Sequence, residues 1–259
     1  LAGATVAVSG TAHAAVSGAD GRVELPLPAA AEPLTLTVSR PGWLAPPREA
    51  VHVAFGNVLG TDRKMLKSRT GESMKFVELL DEALERAGVA IDEKNPDLTA
   101  DQRADTVHMI GIGAVKYAEL STDRIKDYVF DWDRMLSFDG NTGPYLQYAH
   151  ARICSIFRRA EIDRASVRGV DIEVGTPQER ALALRLLAYP TAIDTTLETY
   201  SPHKLCTYVY DLATDFTAFY EHCPVLKVDE PLRSSRLALA DLTARTLQHA
   251  LGLVGIDAP

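Results

Sequence analysis

Three cysteines are too few and too widely spaced to staple a 259-residue chain. Cys154, Cys206 and Cys223 make neither a zinc pattern nor a disulfide framework. They read as small buried hydrophobes, and a reducing, cytoplasmic setting is the simplest context. No apolar run is long enough to span a membrane. The first residues lack the basic region of a secretory signal. No Walker A pattern is present. Positive charge is also short: the net charge of −8 argues against a generic nucleic-acid coat. It leaves room for a binder whose contact is set by local basic patches. What remains is 46% hydrophobic and 24% charged, an ordinary globular composition with room for one large domain or two small ones.

The first 41 residues differ from the rest. Ala4–Ser9, Arg22–Leu25 and Leu34–Val38 alternate as strands do, and Ala19-Asp20-Gly21 reads as a hairpin turn. Pro46-Pro47 marks a loop, and Val51–Phe55 predicts another strand. Gly56 to Glu72 reads as a polar, glycine-punctuated loop.

From there the pattern is helical. Ser73 suits an N-cap, Phe76, Leu80, Ala83 and Ala87 are expected inward, and Gly88 is expected to end that helix. Thr99 and Gln102 form a capping-box pattern for the next, with a seam of Ala104, Val107, Gly111, Ala114 and Ala118. Arg168 to Gly175 reads as a connector. Thr176-Pro177-Gln178-Glu179 combines a cap, a proline at the first helical position and an N3 glutamate. Pro190 is expected to kink or break that helix. After Ser201-Pro202, the residues Leu205, Val209, Leu212, Phe216 and Phe219 repeat at helical spacing. The last helix carries Leu239, Leu242, Leu247, Ala250 and Val254. An α-bundle is expected from Ser73 onward.

One stretch organises the chain: Asp131 to Arg152, a polar and aromatic run, a tight Phe138-Asp139-Gly140-Asn141-Thr142-Gly143 turn, and a helix opened by Pro144. Leu146, Ala149, Ile153, Ile156 and Ala160 should face the core. Tyr145, Tyr148, Arg152, Ser155 and Arg159 form a second stripe about 100° round the helix. Flat rings and guanidinium groups suit stacking on bases and pairing with phosphates. The same stripe describes an ordinary amphipathic helix with tyrosines at the core margin, and pattern alone favours that reading. Basic patches at Arg63, Lys64, Lys67 and Arg69, and at Arg152, Arg158, Arg159, Arg164 and Arg168, equally describe solvated faces.

The run from Asp127 to Ile153, DYVFDWDRMLSFDGNTGPYLQYAHARI, resembles the C-terminal region of the arginyl-tRNA synthetases, which are class I aminoacyl-tRNA synthetases. The resemblance extends from about Gly42 to Pro259. It implies a mainly α fold: a helical anticodon-binding (DALR) domain over residues 115–259. Residues 42–114 would be the end of the Rossmann catalytic domain with connecting helices. Residues 1–41 do not match the family and resemble part of a β-sandwich module of the carboxypeptidase-regulatory-like kind.

Lys64-Met65-Leu66-Lys67-Ser68 resembles the KMSKS loop of class I synthetases, with Leu in place of the first Ser. The resemblance implies ATP binding by these five residues, with Mg²⁺ arriving on the ATP and no metal site in the protein. It implies that Lys67, supported by Lys64, balances phosphate charge while arginine attacks the α-phosphate and pyrophosphate leaves. For tRNA(Arg) it implies contacts from Ser137, Phe138, Asp139, Gly140, Asn141, Thr142, Tyr145, Tyr148, Arg152, Arg159 and Tyr220. None of the seven histidines belongs to the family's HIGH-like motif. The expected function is thus the C-terminal part of an arginine–tRNA ligase. The rivals are a non-catalytic helical module that holds RNA or protein, and a structural fragment with an adhesion-type start.

Alone, this chain is expected not to activate arginine, because positioning and charge stabilisation both need the HIGH-like half-site. Arginine-dependent turnover of ATP by the purified chain would show otherwise. Trimming to Gly42 is expected to leave the bundle's melting temperature nearly unchanged; a large drop would show that the β-rich piece is integral.

Overall fold

The computed structural model describes residues 4–8, 14–19, 22–23, 34–39, 48–52, 54–64 and 76–259. The chain divides into two compact units, Leu1–Gly56 and Asn57–Pro259.

The first unit is an antiparallel sheet. β1 (Thr5–Val8) pairs with β2 (Ala14–Val16) and with β3 (Leu34–Ser39), and β3 pairs with β4 (Arg48–His52). The register sets Val6 opposite Ala15 on one side and Val38 on the other. Ser17 closes the first hairpin: its hydroxyl accepts from Ala4 N at 2.9 Å, and its own N–H donates to Ala4 O at 2.8 Å. Two expected strands are displaced. Arg22 and Val23 carry no strand, and β2 takes the place beside β1. The Val51–Phe55 strand lies earlier, at Arg48–His52, where it can pair with β3. The sheet thereby gains its outer strand from beyond residue 41. Asp20, Gly21, Glu24 and Leu25 lie outside the described residues.

The second unit is helical. Its helices are α1 (Phe76–Lys94), α2 (Ala100–Leu120), α3 (Trp132–Met135), α4 (Gly143–Ala160), α5 (Pro177–Leu187), α6 (Tyr189–Thr199), α7 (Pro202–His222) and α8 (Leu232–Leu253). Leu146, Ile153, Leu182, Leu212, Phe216, Phe219, Leu237 and Leu247 meet in one apolar core. A second cluster under α1 and α2 joins Leu79, Ala83, Ala114, Val115, Phe130 and Met135. No helix of the described residues is long and apolar enough to cross a membrane.

The local signals for helix starts hold. Thr99 and Gln102 form the capping box of α2, and Thr176 and Glu179 that of α5. The break expected at Pro190 falls at Ala188, which ends α5 and begins α6. Other expectations are corrected. The stretch expected to be loop from Gly56 holds β5 (Val58–Leu59), which pairs in parallel with β6 (Tyr128–Val129); such pairing is invisible to local sequence. Phe76 is 65% exposed rather than inward, with Leu79 taking the core position beside it. Gly88 does not end α1. Ile91 is still buried beyond it, and Asp92 takes a forked bond from Arg103 at 2.6 and 2.7 Å, so two further turns have partners. Ala104 lies exposed, and the seam of α2 begins at Val107, which meets α1 at Gly88, and continues at Gly111, which meets it at Ala83. Ser73 lies outside the described residues.

α5 and α8 are joined by a buried ion pair. Arg236 Nε donates to Glu179 Oε1 at 2.7 Å, while Glu179 Oε2 accepts from the N–H groups of Gly175 and Thr176 at 2.8 Å. Burial raises the Glu179 carboxyl, but Arg236 and these N–H groups outweigh it, and the net shift is below the ordinary 4.5. A carboxyl lowered on folding contributes stability above its unfolded value and loses it as pH falls through the lowered one. Arg236→Ala should therefore cost about 3–5 kcal/mol near neutral pH by stranding the carboxylate. That deficit should shrink in acid below pH 4.5, as urea titrations at several pH values would show.

Candidate nucleic-acid interface

The turn that opens α4 is built from its own side chains. Gly140 has φ of 80°, a left-handed angle that a side chain resists. Thr142 Oγ1 donates to Ser137 O at 2.6 Å and accepts from Tyr145 N at 3.3 Å, so one hydroxyl closes the turn and caps the helix. Ser137 Oγ accepts from Asp139 N at 3.1 Å. The next residue, Gly143, is pressed against α2: a Cβ there would lie 2.9 Å from Gly113 O. Buried Tyr117 ties the turn to the bundle, its hydroxyl 2.5 Å from Asn141 Oδ1 and 3.0 Å from Cys206 O of α7. Burial, the largest cause, pushes the Tyr117 phenol far up, so it stays protonated and can donate.

The stripe on α4 divides in two. Tyr145 turns to α7, its ring 5.8 Å from that of Tyr210 and its hydroxyl 3.4 Å from Thr217 Oγ1. Tyr148 stays 48% exposed. One turn along, the Arg152 guanidinium lies 4.8 Å from the centre of the Tyr148 ring and 5.4 Å from that of Tyr220. Hydrogen bonding to Arg152 and then its charge pull the Tyr148 phenol below its ordinary value. Tyr220 is half-buried on the last turn of α7, with its other neighbour Phe216 at 6.1 Å.

These groups share a groove of about 700 Å³ lined by Tyr148, Arg152, Ser155, Arg158, Arg159 and Tyr220, with Asn95 and Lys227 at its walls. The structure therefore brings together Tyr148, Arg152, Arg159 and Tyr220. The turn residues do not line the groove, but Phe138 is linked to its wall: Lys94, beside Asn95, holds its ammonium 4.7 Å from the Phe138 ring. Lys94 and Asn95 are the contributors that sequence reasoning missed. An end to α1 at Gly88 would leave Lys94 in a loop; the helix that carries it, with Asn95 just past its end, is held by Ile91 and Asp92.

The basic residues also separate by role. Arg164 and Arg245 donate to the buried Asp241 carboxylate at 2.8 and 2.9 Å, with Arg168 at 3.8 Å, so these cations answer a buried charge. Arg158 and Arg159 remain exposed at the groove. Lys64 is exposed, its N–H donating to Asp62 Oδ1 at 3.0 Å. Arg63 beside it has φ of 59°. Met65, Leu66, Lys67, Ser68 and Arg69 lie outside the described residues.

Comparison with known proteins matches two family models in chain order. Residues 36–132 match the catalytic domain of class I tRNA synthetases for arginine, and residues 146–259 match the DALR anticodon-binding domain. The chain belongs to the arginyl-tRNA synthetase family. It is 52% identical over 224 residues to the arginine–tRNA ligase of Thermobifida fusca, covering 86% of this chain and 38% of that protein. It is 46% identical over 221 residues to that of Mannheimia succiniciproducens, covering 85% and 38%. Among solved structures, the arginyl-tRNA synthetase of Thermus thermophilus superposes with a TM-score of 0.69 at 36% identity, over 80% of this chain and 35% of the other. That of Plasmodium falciparum gives 0.70 at 32% identity, over 80% and 34%. The chain thus spans well under half the length of these arginyl-tRNA synthetases. The mainly helical second unit agrees with the DALR domain expected of such a synthetase. The groove lies wholly in helices and loops of that unit, with Tyr148 to Tyr220 inside the DALR match.

Proposed function

We propose that this chain is the C-terminal part of an arginine–tRNA ligase and that the groove between α4 and α7 holds the anticodon loop of tRNA(Arg). The observation that carries the reading is the meeting of Tyr148 and three arginines of α4 with the Tyr220 ring of α7 in one open groove within the DALR match. Single-stranded loops are read by splaying bases onto aromatic faces, while guanidinium groups take the phosphates. Tyr148 and Tyr220 supply the faces. Arg158, Arg159 and Lys227 supply local positive charge on a chain whose net charge is −8. Lys94 steadies Phe138 in the Ser137–Thr142 turn, whose exposed Asp139, Gly140 and Asn141 offer short polar groups to the same RNA.

The catalytic part of the proposal concerns Lys64 to Ser68. In arginine activation the carboxylate attacks the α-phosphorus of ATP, the bond to the leaving pyrophosphate breaks, and negative charge builds on the phosphates. Mobile ammonium groups such as Lys64 and Lys67 can follow that charge, and exposure of Lys64 leaves it free to do so. No cluster of His, Cys, Asp and Glu among the described residues would hold a metal ion, and Mg²⁺ would arrive on the ATP phosphates.

The test is affinity for cognate and non-cognate tRNA over a range of salt, with helicity checked for each variant. Tyr148→Ala or Tyr220→Ala should cost about 1–3 kcal/mol per lost stack. Arg159→Ala should weaken all tRNAs alike and lower the salt slope by about one. Well-folded tyrosine variants that bind cognate tRNA as tightly as the parent would overturn the anticodon assignment.

A further inference from the structure

The rings that would stack on bases are already occupied. Tyr148 and Arg152 stand one turn apart on α4, and Tyr220 reaches in from the end of α7. The Arg152 guanidinium is within 5.4 Å of both ring centres, inside the range at which a cation is held by an aromatic face. Its situation differs from that of the arginines that tie helices together, and from that of its exposed neighbours Arg158 and Arg159, which lie over no aromatic ring among the described residues. Arg164, Arg185 and Arg236 are held by carboxylates, whereas Arg152 has no ion-pair partner among the described residues. Its fixed neighbours are the two rings.

We propose that Arg152 is a placeholder: its guanidinium covers the tyrosine faces in the free protein, and an RNA base displaces it so that it turns to a phosphate. The proposal rests on the RNA-binding reading of the same groove. One face of a ring can hold a guanidinium or a base, not both. At an exposed site such a cation contact is worth about two- to fivefold in an equilibrium constant. A base stacked on an aromatic ring is worth about five- to a hundredfold or more. The base therefore wins the face, and the loss of the cation contact is subtracted from its affinity. The displaced cation keeps a use, because the phosphate of the stacked nucleotide enters the same basic groove beside Arg158 and Arg159. Until a base arrives, the guanidinium keeps the exposed Tyr148 ring and the half-buried Tyr220 ring from presenting a bare apolar surface.

A double-mutant cycle tests this through the sign of a coupling. The probe is an RNA hairpin carrying the anticodon loop of an arginine tRNA, bound at one fixed salt concentration. The four proteins are the parent, Tyr148→Ala, Arg152→Ala and the double variant. If Arg152 must be displaced, Tyr148→Ala should lose about threefold more affinity in the Arg152→Ala background than in the parent, because the ring there has no prior occupant. If Arg152 instead stays on the ring and reinforces a base on the opposite face, the loss should be smaller in that background. An equal or smaller loss overturns the placeholder while leaving the RNA-binding groove intact. No loss for Tyr148→Ala or Tyr220→Ala in either background removes the groove reading, and the placeholder with it. Arg152→Met, which keeps the aliphatic stem against α4, should give the same sign; a reversed sign would mean that the effect came from packing.

Discussion

The contact of α4 with α2 at Gly143 is the constraint on which the groove depends. A Cβ there would lie 2.9 Å from Gly113 O and 3.2 Å from Ala114 Cα, so only glycine lets the two helices meet at this spacing. That spacing brings Tyr117 of α2 within reach of both Asn141 and Cys206. One phenol hydroxyl therefore joins α2, the turn and α7. With α4 and α7 fixed in this way, Tyr148 and Tyr220 both lie within reach of the Arg152 guanidinium. A wider approach of α4 to α2 would separate the two rings that meet at Arg152.

The electrostatics of the second unit follow from which cations are spent. Asp241 is buried and draws Arg164, Arg168 and Arg245; Glu179 is buried and draws Arg236. The Arg236–Glu179 pair joins α5 to α8 and is balanced one to one, while the single charge of Asp241 holds Arg164 and Arg245 close, with Arg168 further off. Arg152, Arg158 and Arg159 are left for the groove. A protein with net charge −8 can attract an anion only where such unspent cations cluster, since exposed charges more than about 8–10 Å away are screened at physiological salt. The negative charge of the rest of the chain disfavours an anion outside such a cluster.

Arginines close in sequence illustrate why pattern alone could not sort them. Arg159 and Arg164 are five residues apart and look alike in the sequence. One is exposed at the groove, and the other is tied to a carboxylate on α8. Tyr145 and Tyr148 are three residues apart on one expected stripe. A partner on α7 draws Tyr145 inward, and the cation of Arg152 covers Tyr148. Lys94 and Asn95 entered the site because α1 runs past Gly88, which the sequence presents as a stop.

By itself the sequence determined what is local. Thr99 and Thr176 mark helix starts because a hydroxyl beside free N–H groups needs no distant partner. Leu205, Val209, Leu212, Phe216 and Phe219 declare the buried face of α7 because burial follows the helical period. The turn before α4 and its flanking text identified the family. The tertiary structure decided where α1 ends, that β5 pairs with β6, which tyrosine faces the groove and which arginines remain free. Each of those outcomes depends on a partner far along the chain: Arg103 for Asp92, Tyr128 for Val58, Tyr210 for Tyr145, Asp241 for Arg164. Local sequence sets the propensity of a residue, but its partner is set by packing, and packing is a property of the assembled helices.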